Sequence, residues 1–369
     1  MRSIAVDIGN DTVKVVTGLQ SQDRFAIPNV MAPAPMSREV LEFEKTLEEG
    51  LHVEIVSPAM PRGVFYVGKL ATKTSHNDEL TVDSEKSENT QSMVMLLTAL
   101  ALDAVRQFEE TEGVVEAHYA LSTGLPLDEA KQGKRKAFKK KLKAGVHEVR
   151  FRDTPEYGGK LVRIHLDEVL VNVEGHAAML DLTTENDGTP KNQELCKMTV
   201  LLNDIGGLST DAAIIHPNGE IDNFNSDGIR QGVAPYLDAI IFQVERKYKY
   251  PFKSRRELVT TMTHPDPKER NVIWVKGKPQ SIQAEVDEAL LQLAREEYKH
   301  LQEVWNRVPS IRTAVLIGGG SVILRPYLEQ INLQADQLPL RFLGVHESIW
   351  MISNAYFKLL ALYLAQKGL

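Results

Sequence analysis

Two aspartates end short β-rich segments and run directly into glycine-bearing turns: Asp7 in DIGND and Asp204 in NDIGG. A hairpin turn of glycine and small polar residues exposes backbone N–H groups with no side chain in front of them, and such amides cradle phosphate oxygens. A carboxylate beside a phosphate repels it unless a cation stands between, so Asp7 and Asp204 point to Mg²⁺ held through its waters. Lys14 lies on the returning segment TVKVVT, within reach of a β- or γ-phosphate. A third glycine run, GGGS at 318–321, follows the apolar segment TAVLI. One such turn is most simply strand-end chemistry, because Gly, Asn and Asp are favoured there for backbone reasons. Two with Asp in the same place, and a third glycine turn, point to a phosphate-bearing ligand.

The elements that must position these residues are legible around them. Segments 3–8 and 12–17 predict two strands joined by GND, whose chemistry favours a left-handed backbone and a tight hairpin. The layout returns at 199–203 and 210–216 around DIGGLS, and 313–317 predicts a strand feeding a helix at VILRPYLEQI. Strands followed by helices, with glycines at the joins, indicate an α/β architecture with ligands at the strand ends. Apolar residues recur at helical spacing in 93–108, 233–249, 284–304 and 349–366. The polar stretches 72–92, 183–194 and 263–281 read as loops within domains.

Composition bounds what these elements can serve. The 369 residues suggest two or three domains, and 43% hydrophobic with 25% charged residues excludes a disordered, collagen-like or membrane-embedded class. Net charge −7 argues against direct binding of nucleic acid through a general positive field. Cys196 is the only cysteine, which removes intramolecular disulfides and Cys-based zinc, and fits a reducing cytoplasm. The first dozen residues carry charge and a polar turn, unlike a signal peptide. Met93–Leu102 and Leu359–Ala365 are too short to span a bilayer and read as core, so no membrane association is expected. The histidines show no metal-ligand spacing. KQGKRKAFKKKLK at 131–143 holds eight Lys or Arg, but Phe138 and Leu142 give it one apolar stripe, so a solvated face or one side of a filament contact ranks above DNA binding.

DIGNDTVK (7–14), NDIGGLSTD (203–211) and LIGGGS (316–321) resemble the phosphate 1, phosphate 2 and adenosine motifs of the actin-like ATPase superfamily. FYVGKLA (65–71), MLLTALAL (95–102), LSTGLP (121–126) and VNVEGHAAM (171–179) narrow the resemblance to bacterial and archaeal actin-like proteins of the ParM type, which segregate plasmids. The resemblance implies an α/β actin-like fold: two ribonuclease H-like domains around a nucleotide cleft, one from 1–174 with 354–369 returning to it, the other from 175–353. Carried over by position, Asp7, Gly9, Asn10, Asp11 and Lys14 form the first phosphate clamp, and Asp204, Gly206, Gly207 and Thr210 the second. Asp7 and Asp204 would hold Mg²⁺ through water, Asp204 also organising the attacking water. Gly318, Gly319 and Gly320 would pass under the adenosine, and Gly232 would start the helix bordering the base. Glu174 matches the residue that orients the hydrolytic water, with Val173 where the family often has Pro. Asn354 and Ala355 match a hinge in ISNAYFK, Phe357 standing in place of Gly, while Gly124 and Pro126 belong to the first domain crossing.

The implied activity is hydrolysis of ATP to ADP with Mg²⁺, GTP also being open, coupled to assembly of a homopolymer that works with a DNA-binding adaptor protein in the cytoplasm. A small-molecule kinase on the same fold is the alternative, because fold and nucleotide site are shared. A chaperone-like switch would ordinarily carry a peptide-binding domain after the hinge, for which the sequence leaves no room.

Overall fold

Strand and helix limits follow the apolar pattern closely. The computed structural model describes residues 1–38, 50–74, 84–185 and 189–369. It divides into two compact units, Met1–Gln193 with Trp350–Leu369, and Glu194–Ile349.

The first unit holds one sheet: β1 (Arg2–Ile8), β2 (Thr12–Val16), β3 (Arg24–Pro28), β4 (Met31–Pro33), β5 (His52–Ser57), β6 (Met60–Val67), β7 (Glu110–Thr111), β8 (Val114–Leu125), β9 (His147–Phe151) and β10 (Leu161–Val173). Among the described residues its order is β3-β2-β1-β8-β10-β9-β5-β6-β4, with β7 paired to β8. β1, β8 and β10 run parallel at its centre. Their register aligns Ala5 with Ser122 and Ser122 with Leu170, so Asp7, Gly124 and the end of β10 share one sheet edge. Carboxyl ends of neighbouring parallel strands are where α/β sheets place ligands.

Among the described residues four α-helices complete this part of the chain: α1 (Thr90–Gln107), α2 (Leu127–Lys131), α3 (Lys134–Leu142) and α4 (Glu174–Thr183). The Asn89 side chain caps α1 by accepting from the Gln91 N–H at 2.7 Å. Every residue of α1 from Gln91 to Ala104 is buried, which is why Met93–Leu102 carries almost no polar face. The helix α4 lies with this unit, so the contact division falls beyond residue 174.

The second unit contains β11 (Thr199–Ile205), β12 (Thr210–Ile215), β13 (Asp227–Ile229), β14 (Val272–Val275), β15 (Lys278–Ser281), β16 (Ile311–Ile317) and β17 (Leu340–Phe342), with α5 (Ala234–Tyr248), α6 (Arg255–Met262), α7 (Gln283–Arg307) and α8 (Gly318–Gln334). Its main sheet has the order β13-β12-β11-β16-β17. β14 and β15 form a separate hairpin inside 263–281, a stretch the sequence presents only as polar loop. Its strands are four residues each, an unbroken apolar VIWV with only Ile273 buried and a polar KPQS, which leaves no apolar alternation to read.

A last helix, α9 (Val345–Lys367), starts in the second unit's segment and continues into the first unit's segment Trp350–Leu369. It is long and apolar enough to cross a membrane by composition. In the first unit, however, Ala355, Tyr356 and Leu360 of this helix are fully buried, and buried Lys358 pairs with Asp181 at 2.7 Å and donates to the Thr184 carbonyl at 2.7 Å. The close approach expected at the hinge is made on the sheet side. A Cβ on Gly124 would lie 1.9 Å from the Tyr356 hydroxyl, so glycine in β8 makes room for a large ring on α9.

Candidate nucleotide-binding groups

In the first unit the β1–β2 hairpin sets Asp7 directly across from Lys14, and the Lys14 Nζ donates to Asp7 Oδ2 at 3.2 Å. None of Gly9, Asn10 and Asp11 has a positive φ, contrary to the expected left-handed turn. Glycine is required at 9 for space instead: a Cβ there would stand 2.6 Å from the Thr12 carbonyl oxygen. Asn29 locks the turn from outside. Its amide side chain donates to the Gly9 carbonyl at 2.8 Å, its N–H donates to the Asp11 carbonyl at 2.8 Å, and Gln91 on α1 donates to Asn29 in turn. These two residues are missing from the sequence reading because nothing local marks them; they act across 20 and 62 positions.

Glu174 is the first residue of α4, where a carboxylate is favoured by the helix dipole. Lys86 Nζ donates to its Oε1, and both side chains are nearly buried. Burial works against charge on Lys86, but the Glu174 and Asp7 carboxylates outweigh it, with Glu129 adding to them, and hold its ammonium above the ordinary lysine range. Burial pushes the Glu174 carboxyl up while Lys86 pulls it down. Lys86 therefore connects two expected site residues, Asp7 and Glu174. It lies in the stretch 72–92, expected to be exposed loop; the part at 75–83 falls outside the described residues, but Lys86 and Ser87 are buried.

The second unit repeats the pattern. β11 and β12 place Asp204 opposite Asp211 and Ile205 opposite Thr210, and parallel β16 sets Asp204 beside Ile317, just before the glycine run. The Gly206 N–H donates to the Ser209 carbonyl at 2.9 Å, so it closes the turn. A Cβ on Gly232 would meet the Gly207 carbonyl oxygen at 2.5 Å, and the Val233 and Ala234 amides donate to the Gly206 and Gly207 carbonyls at 3.1 and 2.7 Å. The start of α5 thus grips the hairpin.

The glycine run divides by role. Gly318 has φ +83°, and a Cβ on it would lie 2.2 Å from Asp204 Oδ1. One on Gly320 would meet Ile205 Cγ2 at 2.6 Å. Both are glycine because β11 is close. Gly319 is exposed, and a Cβ there meets nothing within 4 Å, so of the three it alone leaves its face open to a ligand.

Thr210 turns elsewhere. Its fully buried hydroxyl lies 3.0 Å from the Gln231 carbonyl and 2.8 Å from Glu297 Oε1 of α7; its one proton serves one of them and a protonated Glu297 can donate to it in turn, which makes it a brace under the hairpin. Burial pushes Glu297 up to about 7, against the hydrogen bond from Thr210. Its carboxyl is thus protonated in the fold at a pH where the unfolded chain has released the proton. The associated stability is complete below pH 4.5 and is lost as pH rises to 7, on the order of 3 kcal/mol at most. Glu297→Gln keeps the acceptor for Thr210 and removes the titration. Its melting temperature is expected to exceed that of the unsubstituted protein at pH 8 and to match it near pH 4.5; equal pH profiles would refute the assignment.

Among the described residues no three His, Cys, Asp or Glu side chains form a metal cage. Single carboxylates at Asp7 and Asp204 suit a Mg²⁺ that keeps its waters and rides on phosphate. The basic run at 131–143 breaks into α2 and α3 at Gly133, φ +79°, and much of its charge is spent within the chain. Lys134 pairs with Glu85 at 2.6 Å, Arg135 donates to the Val171 carbonyl at 2.6 and 2.9 Å, and Lys141 donates to the Ser87 carbonyl at 3.0 Å.

Residues 5–176 match the family described as the actin-like proteins N terminal domain, and residues 199–339 match the Alp7A C-terminal domain. Bacillus thuringiensis ParM with ATP is similar at 24% identity and TM-score 0.74, covering 99% of this chain and 99% of that one. The actin-like protein Alp7A is similar at 16% identity and TM-score 0.78, covering 99% and 97%. A Bacillus thuringiensis hybrid containing two ParM mutants, with ADP, is similar at 22% identity and TM-score 0.74; the chain spans 49% of that protein's length. At these identities the structural likeness shows the fold, which is actin-like. No curated protein sequence matches the chain.

Proposed function

We propose, from the premise that this chain belongs to the actin-like proteins of the ParM type, that it is a filament-forming ATPase whose nucleotide state controls its own assembly for DNA segregation in the cytoplasm. The observation that carries the nucleotide reading is the duplicated hairpin: each unit presents an Asp at the end of a parallel-paired strand, followed by a glycine turn held from outside. The solved relatives with ATP, AMPPNP and ADP support the same ligand class. Bound ATP with Mg²⁺ would supply the phosphoryl group and the charge that makes it reactive. The protein's part is positioning: Lys14 toward phosphate, Asp204 toward Mg²⁺ and the attacking water, Glu174 toward that water, Gly319 open to the nucleoside. Phosphoryl transfer rests mainly on such positioning and on charge stabilisation, so a weakly basic carboxylate is sufficient.

Self-assembly is favoured over a monomeric kinase by two exposed aromatic residues. Phe224 is 99% exposed and Trp274 56%. Phe224 sits on an ordered turn in which Asp222 accepts from the Phe224 and Asn225 amides at 3.2 and 3.1 Å. They lie toward opposite ends of α7, a helix of 25 residues, about 37 Å long. Its later part carries the sheet edge behind Phe224, through Asp227 to His300 at 3.0 Å and Arg307 at 2.7 Å. The start of α7 follows directly on the hairpin that bears Trp274. Different exposed aromatic residues toward opposite ends of one helix suit head-to-tail association, which need not close.

Light scattering with ATP and Mg²⁺ tests this reading. Filaments should form only with nucleotide, and Phe224→Ser or Trp274→Ser should raise the protein concentration needed for assembly by about 30-fold, the effect of losing one aromatic anchor. Scattering that never depends on nucleotide, with phosphate transferred to a small molecule, would establish a kinase instead.

A further inference from the structure

Lys86, the partner of Glu174 in a buried ion pair, has no role in the sequence motifs, and the basic run at 131–143 has none in nucleotide binding. They meet at one place. Lys86 is 6% exposed, and the segment bearing it is clamped on both sides. The Glu129 carboxylate of α2 accepts from the Lys86 N–H at 2.8 Å, the Ser87 N–H at 3.0 Å and the Ser87 hydroxyl at 2.6 Å. Lys141 of α3 donates to the Ser87 carbonyl at 3.0 Å, and Lys134 pairs with Glu85 at 2.6 Å. The same helix pair holds the strand leading to Glu174, because Arg135 donates to the Val171 carbonyl, three residues before it. Phe138 and Leu142 anchor α3 in the core. One support therefore references both partners of the Lys86–Glu174 pair.

We propose that Lys86 is the positioning residue of Glu174, fixing one oxygen of its carboxylate so that the group is aimed before nucleotide arrives, and that α2–α3 is the brace that holds Lys86 in place. This rests on the reading of Glu174 as the water-orienting residue. A carboxylate at the head of a helix has several accessible rotamers. A buried ammonium bonded to one oxygen selects among them, and its own position is set by five hydrogen bonds and ion pairs around residues 85–87. The run of lysines that looks like a nucleic-acid patch is in this account an internal scaffold, with Lys136 and Lys140 left exposed.

The experiment compares Lys86→Met, Lys86→Arg, Glu174→Gln and the double variant Lys86→Met/Glu174→Gln in the full chain. Phosphate release, affinity for a fluorescent ATP analogue and melting temperature without nucleotide are measured for each. Lys86→Met should lower kcat about 10²-fold, the scale of a mispositioned base, with nucleotide affinity within threefold. Lys86→Arg should recover most of the rate, and the double variant should be no slower than the slower single one. Without nucleotide, the double variant should melt above either single variant, each of which leaves one buried charge without its partner. Lys136→Ala should change none of these.

A Lys86→Met protein with unchanged kcat would overturn the proposal, as would one whose affinity falls in step with its rate, which would make Lys86 a phosphate ligand. Additive melting shifts would show that the pair is not coupled and overturn it as well. If the unsubstituted protein hydrolyses ATP and only Lys86→Met is silent, the positioning role alone fails. If the unsubstituted protein hydrolyses nothing, the ATPase reading fails and takes the positioning role with it.

Discussion

Replacing Asp204 with alanine is expected to lower Mg²⁺-dependent ATP hydrolysis by about 10²–10³-fold, the usual cost of one preorganised charged group, while nucleotide affinity changes far less. The structure gives a reason for the separation. Asp204 is on β11 beside Ile317, and the hairpin that follows it is held by the start of α5 and closed by the Gly206 amide, none of which depends on the carboxylate. The backbone proposed to face phosphate is therefore expected to survive the substitution. Alanine also gives Gly318 more space, since the Asp204 Oδ1 is what its missing Cβ would meet first. Asp204→Asn tests charge at constant shape and should lose a similar factor. Phosphate release and an ATP-analogue titration at several Mg²⁺ concentrations provide the measurement. Hydrolysis by Asp204→Ala at the unsubstituted rate, with a normal melting temperature, would remove Asp204 from the site.

The hairpins were legible in the sequence because each is a local event: strand residues, a turn of Gly, Asn or Asp, and strand residues again within some fifteen positions. The long helices α5, α7 and α9 were legible because their apolar period is sustained. What was not legible acts at long range. Lys86 meets Glu174 at a separation of 88 positions, and Thr210 meets Glu297 at 87. Nothing in the neighbourhood of KSEN marks a lysine that will be buried, since the cost of burial is offset by carboxylates from β1, α2 and α4. Local chemistry and resemblance both leave direction open. The turn chemistry predicts glycine at 9 for a left-handed backbone, and it is glycine because its Cα faces a carbonyl; the resemblance implies that Thr210 belongs to the second phosphate clamp, and its hydroxyl braces the hairpin from beneath. In both, residue type was informative and direction was not, because direction depends on which strand comes alongside.

The glycine run after β16 yields the second large effect, and it distinguishes ligand from fold within three adjacent residues. Gly319→Val should reduce ATP affinity by about 100-fold, the order expected when a branched side chain is forced against a fitted surface, about 3 kcal/mol. It should leave the melting temperature without nucleotide unchanged or slightly raised. A Cβ at 319 meets no protein atom within 4 Å, its φ is not positive, and valine is a better helix residue than glycine in the first turn of α8. Gly320→Ala should do the reverse. Its Cβ is directed at Ile205 Cγ2 at 2.6 Å and the Ile205 carbonyl at 2.7 Å, so the second unit should lose stability before any ligand is added. Gly318→Ala adds backbone strain at φ +83° to a clash with Asp204 and Ile205. Calorimetric titration beside thermal unfolding reads both quantities on the same samples. A stable Gly319→Val protein with unaltered ATP affinity would show that this exposed face is not where the nucleoside lies. The requirement for glycine at 318 and 320 would then be explained by the approach of β11 alone.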